Sequence, residues 1–201
     1  MTTIHKTTQR LIIRPFEKED FTSWSEAHRS VGHLKNHFDL APRNPEELTP
    51  EIFDQILTDQ AANREKGELF DLGAFCREKG TLLGGVSLMD IRRIVVFNTN
   101  IGYRFFNQHW GKGYAKEAVD AAIDIAFTQL ALHRVEAAIE PDNFRSIRLA
   151  EKVGLRLEGF KRRFLHLRNG WRDCLIYAIT SEERNIEHPG RETTVVPNLR
   201  W

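Results

Sequence analysis

Two cysteines, two methionines and a net charge of only +1 in 201 residues each close off a class of protein. Cys76 and Cys174 lie far apart in apolar, strand-like runs, which suits reduced side chains in a core better than a disulfide framework or a thiol nucleophile. The 29 Lys and Arg are balanced by 28 Asp and Glu, so no global basic field draws the chain to nucleic acid, and DNA is not an expected partner. There is no run of about 18 apolar residues to span a bilayer, and Met1-Thr2-Thr3-Ile4-His5-Lys6 lacks an apolar signal region. A soluble, cytoplasmic protein without a membrane partner is expected. His33 and His37 have helical i,i+4 spacing but no third ligand nearby, so no metal is expected. Internal repeats and low-complexity segments are also missing.

What is present is a 41% hydrophobic chain, enough for one domain with a real core over residues 1–182, followed by a polar surface tail over 183–201. Residues 9–16 alternate as a strand, and Phe21, Trp24 and Ala27 share one face of a helix over Asp20 to Arg29. Thr49-Pro50 starts a second helix that runs to about Arg64 and is closed by Gly67. Leu69–Arg77, Leu82–Ile91 and Ile94–Phe106 form an antiparallel meander. A long amphipathic helix, a strand over 133–140, a short helix and two last strands, about 155–167 and 171–180, follow; Asn169-Gly170 marks their hairpin. Val195, Val196 and Trp201 in the tail are suited to dock on the core or on a second subunit, so either a monomer or a homodimer is compatible with the sequence.

The most informative stretch is Asn98–Val119, a strand that runs into a loop bearing Gly111 and Gly113 and then into a helix. Glycine permits tight turns and close backbone approach, and the first amides of the helix lack intrahelical partners, so the arrangement cradles an anion such as a pyrophosphate. From Ala115 the apolar residues recur at Ala118, Val119, Ala122, Ala126, Phe127 and Leu130, with charged residues opposite. Gly111-Lys112-Gly113-Tyr114-Ala115-Lys116 fits neither a Walker P-loop nor a dinucleotide fingerprint.

The remaining pattern, Gln108-x-x-Gly111-x-Gly113, resembles the acyl-CoA pyrophosphate loop of the GNAT superfamily of N-acetyltransferases. The run from Asn143-x-x-Ser146 through Lys152-Val153-Gly154-Leu155 to Leu157-Glu158-Gly159 looks like the RimJ/RimL branch, which acetylates N-terminal amines of ribosomal proteins. Arg10-Leu11-Ile12-Ile13-Arg14-Pro15 and Gly170-Trp171-Arg172-Asp173 match that branch too, so the resemblance covers roughly residues 9–180.

The resemblance implies an α/β GNAT fold: a mixed, strongly bent, mostly antiparallel sheet with helices on both faces and a splayed parallel strand pair. Acetyl-CoA is the implied cofactor, held by Tyr103, Arg104, Phe105, Gln108, Trp110, Gly111, Lys112, Gly113, Tyr114, Ala115 and Asn143. It implies that Ser146 assists the leaving thiolate, and Glu140 is the first candidate base, with Glu158 and Asp173 behind it. Some relatives carry a glutamate after the Leu-Glu-Gly element; here that region, Phe160 to Leu165, has no acid. The His33–Pro42 segment resembles a helix-loop that roofs the peptide groove, and Phe38, Trp171 and Asp173 are the acceptor contacts it suggests. Arg145, Arg148, Lys161, Arg162 and Arg163 form local basic clusters able to meet a cofactor phosphate or ribosomal RNA.

An α-amine of pKa ~7.7–8.0 is about one-tenth neutral at pH 7, whereas a lysine-like amine at ~10.4 is under a thousandth neutral. A site without an evident base therefore suits a protein N-terminal alanine or serine, with a polyamine or aminoglycoside as the small-molecule alternative. An acyl-CoA sensor or ribosome-assembly factor without turnover is the alternative of another class.

Overall fold

The first strands arise where apolar and polar residues alternate, and the sheet they start is closed on both faces by helices. The computed structural model describes residues 4–34, 37–167 and 170–187. Its strands are β1 (Lys6–Thr7), β2 (Leu11–Arg14), β3 (Phe70–Cys76), β4 (Leu82–Arg92), β5 (Asn98–Phe105), β6 (Arg134–Ile139), β7 (Arg156–Leu167) and β8 (Gly170–Thr180). They form one eight-stranded sheet in the order β1-β2-β3-β4-β5-β6-β8-β7. Among the described residues four α-helices flank it: α1 (Phe21–Arg29), α2 (Pro50–Lys66), α3 (Tyr114–Thr128) and α4 (Phe144–Lys152).

Period-2 alternation puts neighbouring strand residues into different cores. Ala74 joins a cluster with Leu88, Val119, Ala122, Ile125 and Val135 beneath α3, whereas Phe75 joins Trp24, Phe53, Leu82 and Phe106 beneath α1 and α2. Phe16 packs edge-on to both Phe53 and Phe75 in the second cluster. Helix α2 begins where expected, with the Thr49 side chain accepting from the Ile52 amide at 3.3 Å. It ends at Gly67, whose φ of 70° provides the left-handed cap.

All strand pairs are antiparallel except β5 with β6, which register only over Asn98–Asn100 against Arg134–Glu136. Beyond that point Ile101–Phe105 stay paired with β4, and Ala137–Ile139 stay paired with β8. The two parallel strands therefore diverge, each holding its other neighbour, and the wedge between them presents strand edges that pair with nothing else in the ladder. This is the mixed sheet with a splayed parallel pair that the motifs imply.

Two stretches differ from what the sequence suggests: the strand from Ile94 and, through the resemblance, the helix-loop over His33–Pro42. The strand expected from Ile94 starts only at Asn98, because Ile94 and Val95 are 93% and 82% exposed in the bend that follows β4. Alternation with no surface to bury does not hold a strand. In the 31–45 segment the described residues form no α-helix, as Pro42, Pro45 and the lack of an apolar period dictate. The hairpin residues Arg168 and Asn169 lie outside the described residues, as does 188–201 of the expected tail. Its first part packs on the domain: Arg184 donates to Asp120 at 2.8 Å and to the Val153 carbonyl at 2.7 Å.

Candidate active site

At the mouth of the wedge lies a cavity of about 450 Å³. Tyr103, Arg104 and Phe105 from the end of β5 form one wall, and Asn143, Ser146 and Leu149 from the start of α4 form the other. Its floor is the glycine loop, Trp110, Gly111 and Gly113, with Tyr114, Ala115 and Lys116 of α3, and Phe38, Asp39 and Leu40 roof it.

The loop is built as the sequence requires. Gly111 and Gly113 adopt φ of 78° and 79°, and Gly113 is the N-cap residue of α3, so the first amides of that helix are left without intrahelical acceptors. The Trp110 indole donates to the Phe105 carbonyl at 2.8 Å, folding the loop back against β5. From outside, Arg10 fastens the same turn: it donates to the Lys112 carbonyl at 2.8 Å and to Glu117 at 2.7 Å, and its guanidinium lies 4.7 Å over the Tyr114 ring. Burial alone would raise the Glu117 carboxyl. Hydrogen bonds from the Thr8 hydroxyl at 2.6 Å and the Arg10 amide at 2.8 Å, with the Arg10 guanidinium, bring it below the ordinary value.

On α4 the Asn143 side chain accepts from the Ser146 amide at 3.2 Å, an N-cap that also puts Asn143 on the cavity wall. The Ser146 Oγ is 2.8 Å from the Tyr103 hydroxyl, and that hydroxyl is 3.2 Å from the Ser146 carbonyl. Burial pushes the Tyr103 phenol above its usual range, more than its hydrogen bond to Ser146 lowers it, so it is protonated at neutral pH.

Not every residue singled out by sequence reaches the cavity. Gln108 turns toward the body, its amide nitrogen 3.5 Å from the Ala27 carbonyl, and Lys112 contributes its carbonyl to Arg10. Glu140, the first candidate base, faces Arg172 at 3.6 Å. Glu158 is ion-paired with Arg134 and Arg156. Asp173 accepts from the Arg163 amide at 2.7 Å and so caps a bulge of β7 where Arg163 has φ 48°. Trp171 is 60% exposed and stacks on His166 instead.

Of the basic residues that sequence offered for a cofactor phosphate, Arg145 and Arg148 line the cavity, and Asp39, Lys152 and His109 join them there. Arg145 pairs with the fully buried Asp39 carboxylate at 2.7 Å while its guanidinium lies 4.1 Å over the Trp110 ring. Arg148 and Lys152 line the cavity beside Leu149, as i,i+3 and i,i+7 spacing from Arg145 on one helical face would have indicated. His109 lines it too, and burial together with the nearby Lys112 lowers its imidazole, keeping the ring neutral at pH 7. Among the described residues no cluster of His, Cys, Asp or Glu is arranged to hold a metal, and none of the helices is long and apolar enough to cross a membrane.

Outward amides, two left-handed glycines and the lining cations Arg104, Lys116, Arg145, Arg148 and Lys152 fit a polyphosphate. The unpaired strand edges of the wedge fit an amide-bearing arm laid beside them. Together these are the requirements of an acyl-CoA.

Known proteins resemble this chain in sequence and in fold. Residues 10–156 match the family model described as acetyltransferase (GNAT) domain. The uncharacterized N-acetyltransferase YnaD of Bacillus subtilis is 30% identical over 90% of this chain and 100% of its own length. The ribosomal protein uS5-alanine N-acetyltransferase of Escherichia coli is 24% identical over 94% of this chain and 95% of its own. Among solved structures, Mycobacterium smegmatis RimJ in complex with CoA-disulfide superposes with a TM-score of 0.72 at 24% identity, covering 86% of this chain and 83% of that one. A spermidine N-acetyltransferase chimera from Vibrio cholerae and hSSAT superposes at 0.66 with 19% identity, covering 88% and 99%. At such identities the structural likenesses speak for the fold alone.

Proposed function

The chain belongs to the GNAT acetyltransferase family and is an acetyl-CoA-dependent N-acetyltransferase, and from that premise we propose that its acceptor is the N-terminal α-amine of a protein beginning with alanine or serine, such as a ribosomal protein. The observation that carries this reading is the charge of the cavity. Asp39 is the one carboxylate among its described lining residues, and Arg145 is already bound to it, while Arg104, Lys116, Arg148 and Lys152 add positive charge. With those cations matched by the cofactor's phosphates, the described lining offers a polycation such as spermidine no carboxylate beyond the one already paired with Arg145, whereas a peptide has only a single amine to place. The name of the Escherichia coli relative points the same way.

Bound acetyl-CoA supplies an activated acetyl thioester. The amides opening α3, with Gly111 and Gly113, hold its pyrophosphate, and Arg148 and Lys152 add charge along the same wall. The edge of β5 at Tyr103 and Arg104 aligns the acyl arm in the wedge, and Ser146 presents its hydroxyl to the leaving sulfur. Phe38 and Leu40 close the roof on the acceptor side and exclude water. An α-amine is neutral often enough at pH 7 to need little help in losing its proton, whereas a lysine-like amine demands roughly 3–4 kcal/mol more.

Free-thiol release from acetyl-CoA tests the assignment, measured against peptides starting with Ala, Ser and Met, spermidine and an aminoglycoside. Release with Ala- or Ser-peptides that is abolished by blocking the N-terminus is the expected outcome. Release with spermidine or the aminoglycoside alone overturns it.

A further inference from the structure

The wall formed by β5 and the wall formed by α4 meet at one hydroxyl pair. The Tyr103 phenol reaches across to Ser146, with 2.8 Å to Oγ and 3.2 Å to the backbone carbonyl. A serine hydroxyl has one proton and two lone pairs, so its direction depends on what its oxygen accepts. If Ser146 donates to Tyr103, its proton is committed to the phenol oxygen. If Tyr103 donates to Oγ, the serine proton is released toward the cavity that both residues line.

We infer that Tyr103 is a positioning residue for the leaving sulfur, acting through Ser146: its phenol donates to Oγ and turns the serine hydroxyl onto the sulfur. The inference rests on the proposed role of Ser146. As the acceptor nitrogen bonds the acetyl carbon, the carbon–sulfur bond breaks and sulfur leaves with the electron pair. Ser146 O–H donates a hydrogen bond to that sulfur while Tyr103 O–H donates to Ser146 Oγ. The attacking nitrogen gives its extra proton to water as the amide forms, and the sulfur takes one from water. Negative charge on sulfur strengthens both links of the chain, because each polarises the next. The same charge selects the arrangement in which Tyr103 donates to Oγ over the one in which it donates to the Ser146 carbonyl. A phenol that burial keeps protonated is the right donor for this task, since it remains O–H throughout the neutral range.

The test compares the wild type with Tyr103→Phe, Ser146→Ala and the double variant. Calorimetry at about pH 9.5, where a cysteine-like thiol of pKa ~8.5 is ionised, gives the affinity ratio of coenzyme A to desulfo-coenzyme A. The wild type is expected to prefer coenzyme A by about tenfold, the size of a hydrogen bond to a charged group. Either single variant should lose most of that preference and bind desulfo-coenzyme A as well as the wild type does, and the double variant should lose no more than Ser146→Ala. The kcat values should show the same non-additivity. If Ser146→Ala loses the preference but Tyr103→Phe keeps it, the inference fails and the role of Ser146 stands. If Ser146→Ala keeps it, both fail. Equal weakening of both ligands by Tyr103→Phe, or additive losses in the double variant, also overturns the inference. No acceptor is present in the binding assay, so its outcome is independent of which amine the enzyme acetylates.

Discussion

Arg145 at the start of α4 holds the buried carboxylate of Asp39 at 2.7 Å, 106 residues away in sequence. With its guanidinium also stacked on Trp110, this one side chain ties the roof of the cavity, α4 and the cofactor loop together. The two partners are not equivalent, because Asp39 is fully buried and Arg145 is 46% exposed. Removing Asp39 returns a cation to water, whereas removing Arg145 strips a buried anion of that cation; a fully buried pair would lose about 3–5 kcal/mol, and solvent screening of the half-exposed Arg145 makes the loss here smaller. Arg145→Ala should therefore destabilise the protein more than Asp39→Asn in urea denaturation. Equal losses would mean that Arg145 contributes little to keeping Asp39 charged.

Gly113 sets the direction of the first turn of α3. At φ 79° any L side chain is strained, and a Cβ there would lie 3.4 Å from the Arg10 guanidinium that fastens the loop. Gly113→Ala is expected to lose about 1–2 kcal/mol of stability and at least tenfold in acetyl-CoA affinity by calorimetry. Gly111→Ala has the same strain at φ 78° with open space around its Cβ, but lies ahead of α3 rather than at its N-cap. An acetyl-CoA affinity loss as large for Gly111→Ala would show that strain anywhere in the loop, and not the direction of the first turn of α3, governs the cradle.

Glu117 makes the stability of this corner depend on acid. Its carboxyl lies below the ordinary value in the folded protein, since the Thr8 and Arg10 hydrogen bonds outweigh burial. A folded value lower than the unfolded one means that the contribution is complete above the unfolded pKa of ~4.3 and fades as the pH falls through the folded one. The stability difference between wild type and Glu117→Gln should be constant from neutrality to about pH 5.5 and shrink below that. A difference that holds steady down to pH 3 would show that the Arg10–Glu117 pair is not charge-dependent.

The parts of this architecture that were legible in sequence are those fixed by local chemistry. Thr49-Pro50 and Gly67 bracket α2, Gly111 and Gly113 open α3, and Asn143 caps α4, each through contacts within a few residues. The wedge was implied by the family resemblance, and the parallel β5–β6 pair joined through α3 bears it out. What sequence did not show depends on partners far along the chain. Nothing near Asp39 announces Arg145, and nothing near Glu140 announces Arg172. Gln108 belongs to the motif that carried the family resemblance, yet its side chain turns to Ala27, because the loop packs against the end of α1 as well as against the cavity. Pattern gives the residue's place on an element; the packing of two distant elements decides which way its side chain faces.

Gly84 tests whether the wall of the wedge is rigid. It pairs with Phe105 across β4 and β5, and a Cβ built on it would stand 2.5 Å from the Arg104 carbonyl oxygen and 2.7 Å from the Phe105 Cα. Both are backbone atoms, so no rotamer change relieves the clash and β5 itself must move at the residues that line the cavity. Overpacking of this kind costs about 1–3 kcal/mol, which in a chain of this length lowers Tm by roughly 2–4 °C for each kcal/mol. Gly85→Ala is the matched control, since its Cβ would meet only the Leu72 carbonyl oxygen at 3.2 Å on the β3 side. Gly84→Ala should raise the KM for acetyl-CoA several-fold in the thiol-release assay, while Gly85→Ala leaves it near the wild-type value. If both variants lose stability and neither changes KM, β5 yields without altering the cavity, and the spacing of the wedge is then set by α4 and the glycine loop rather than by the sheet.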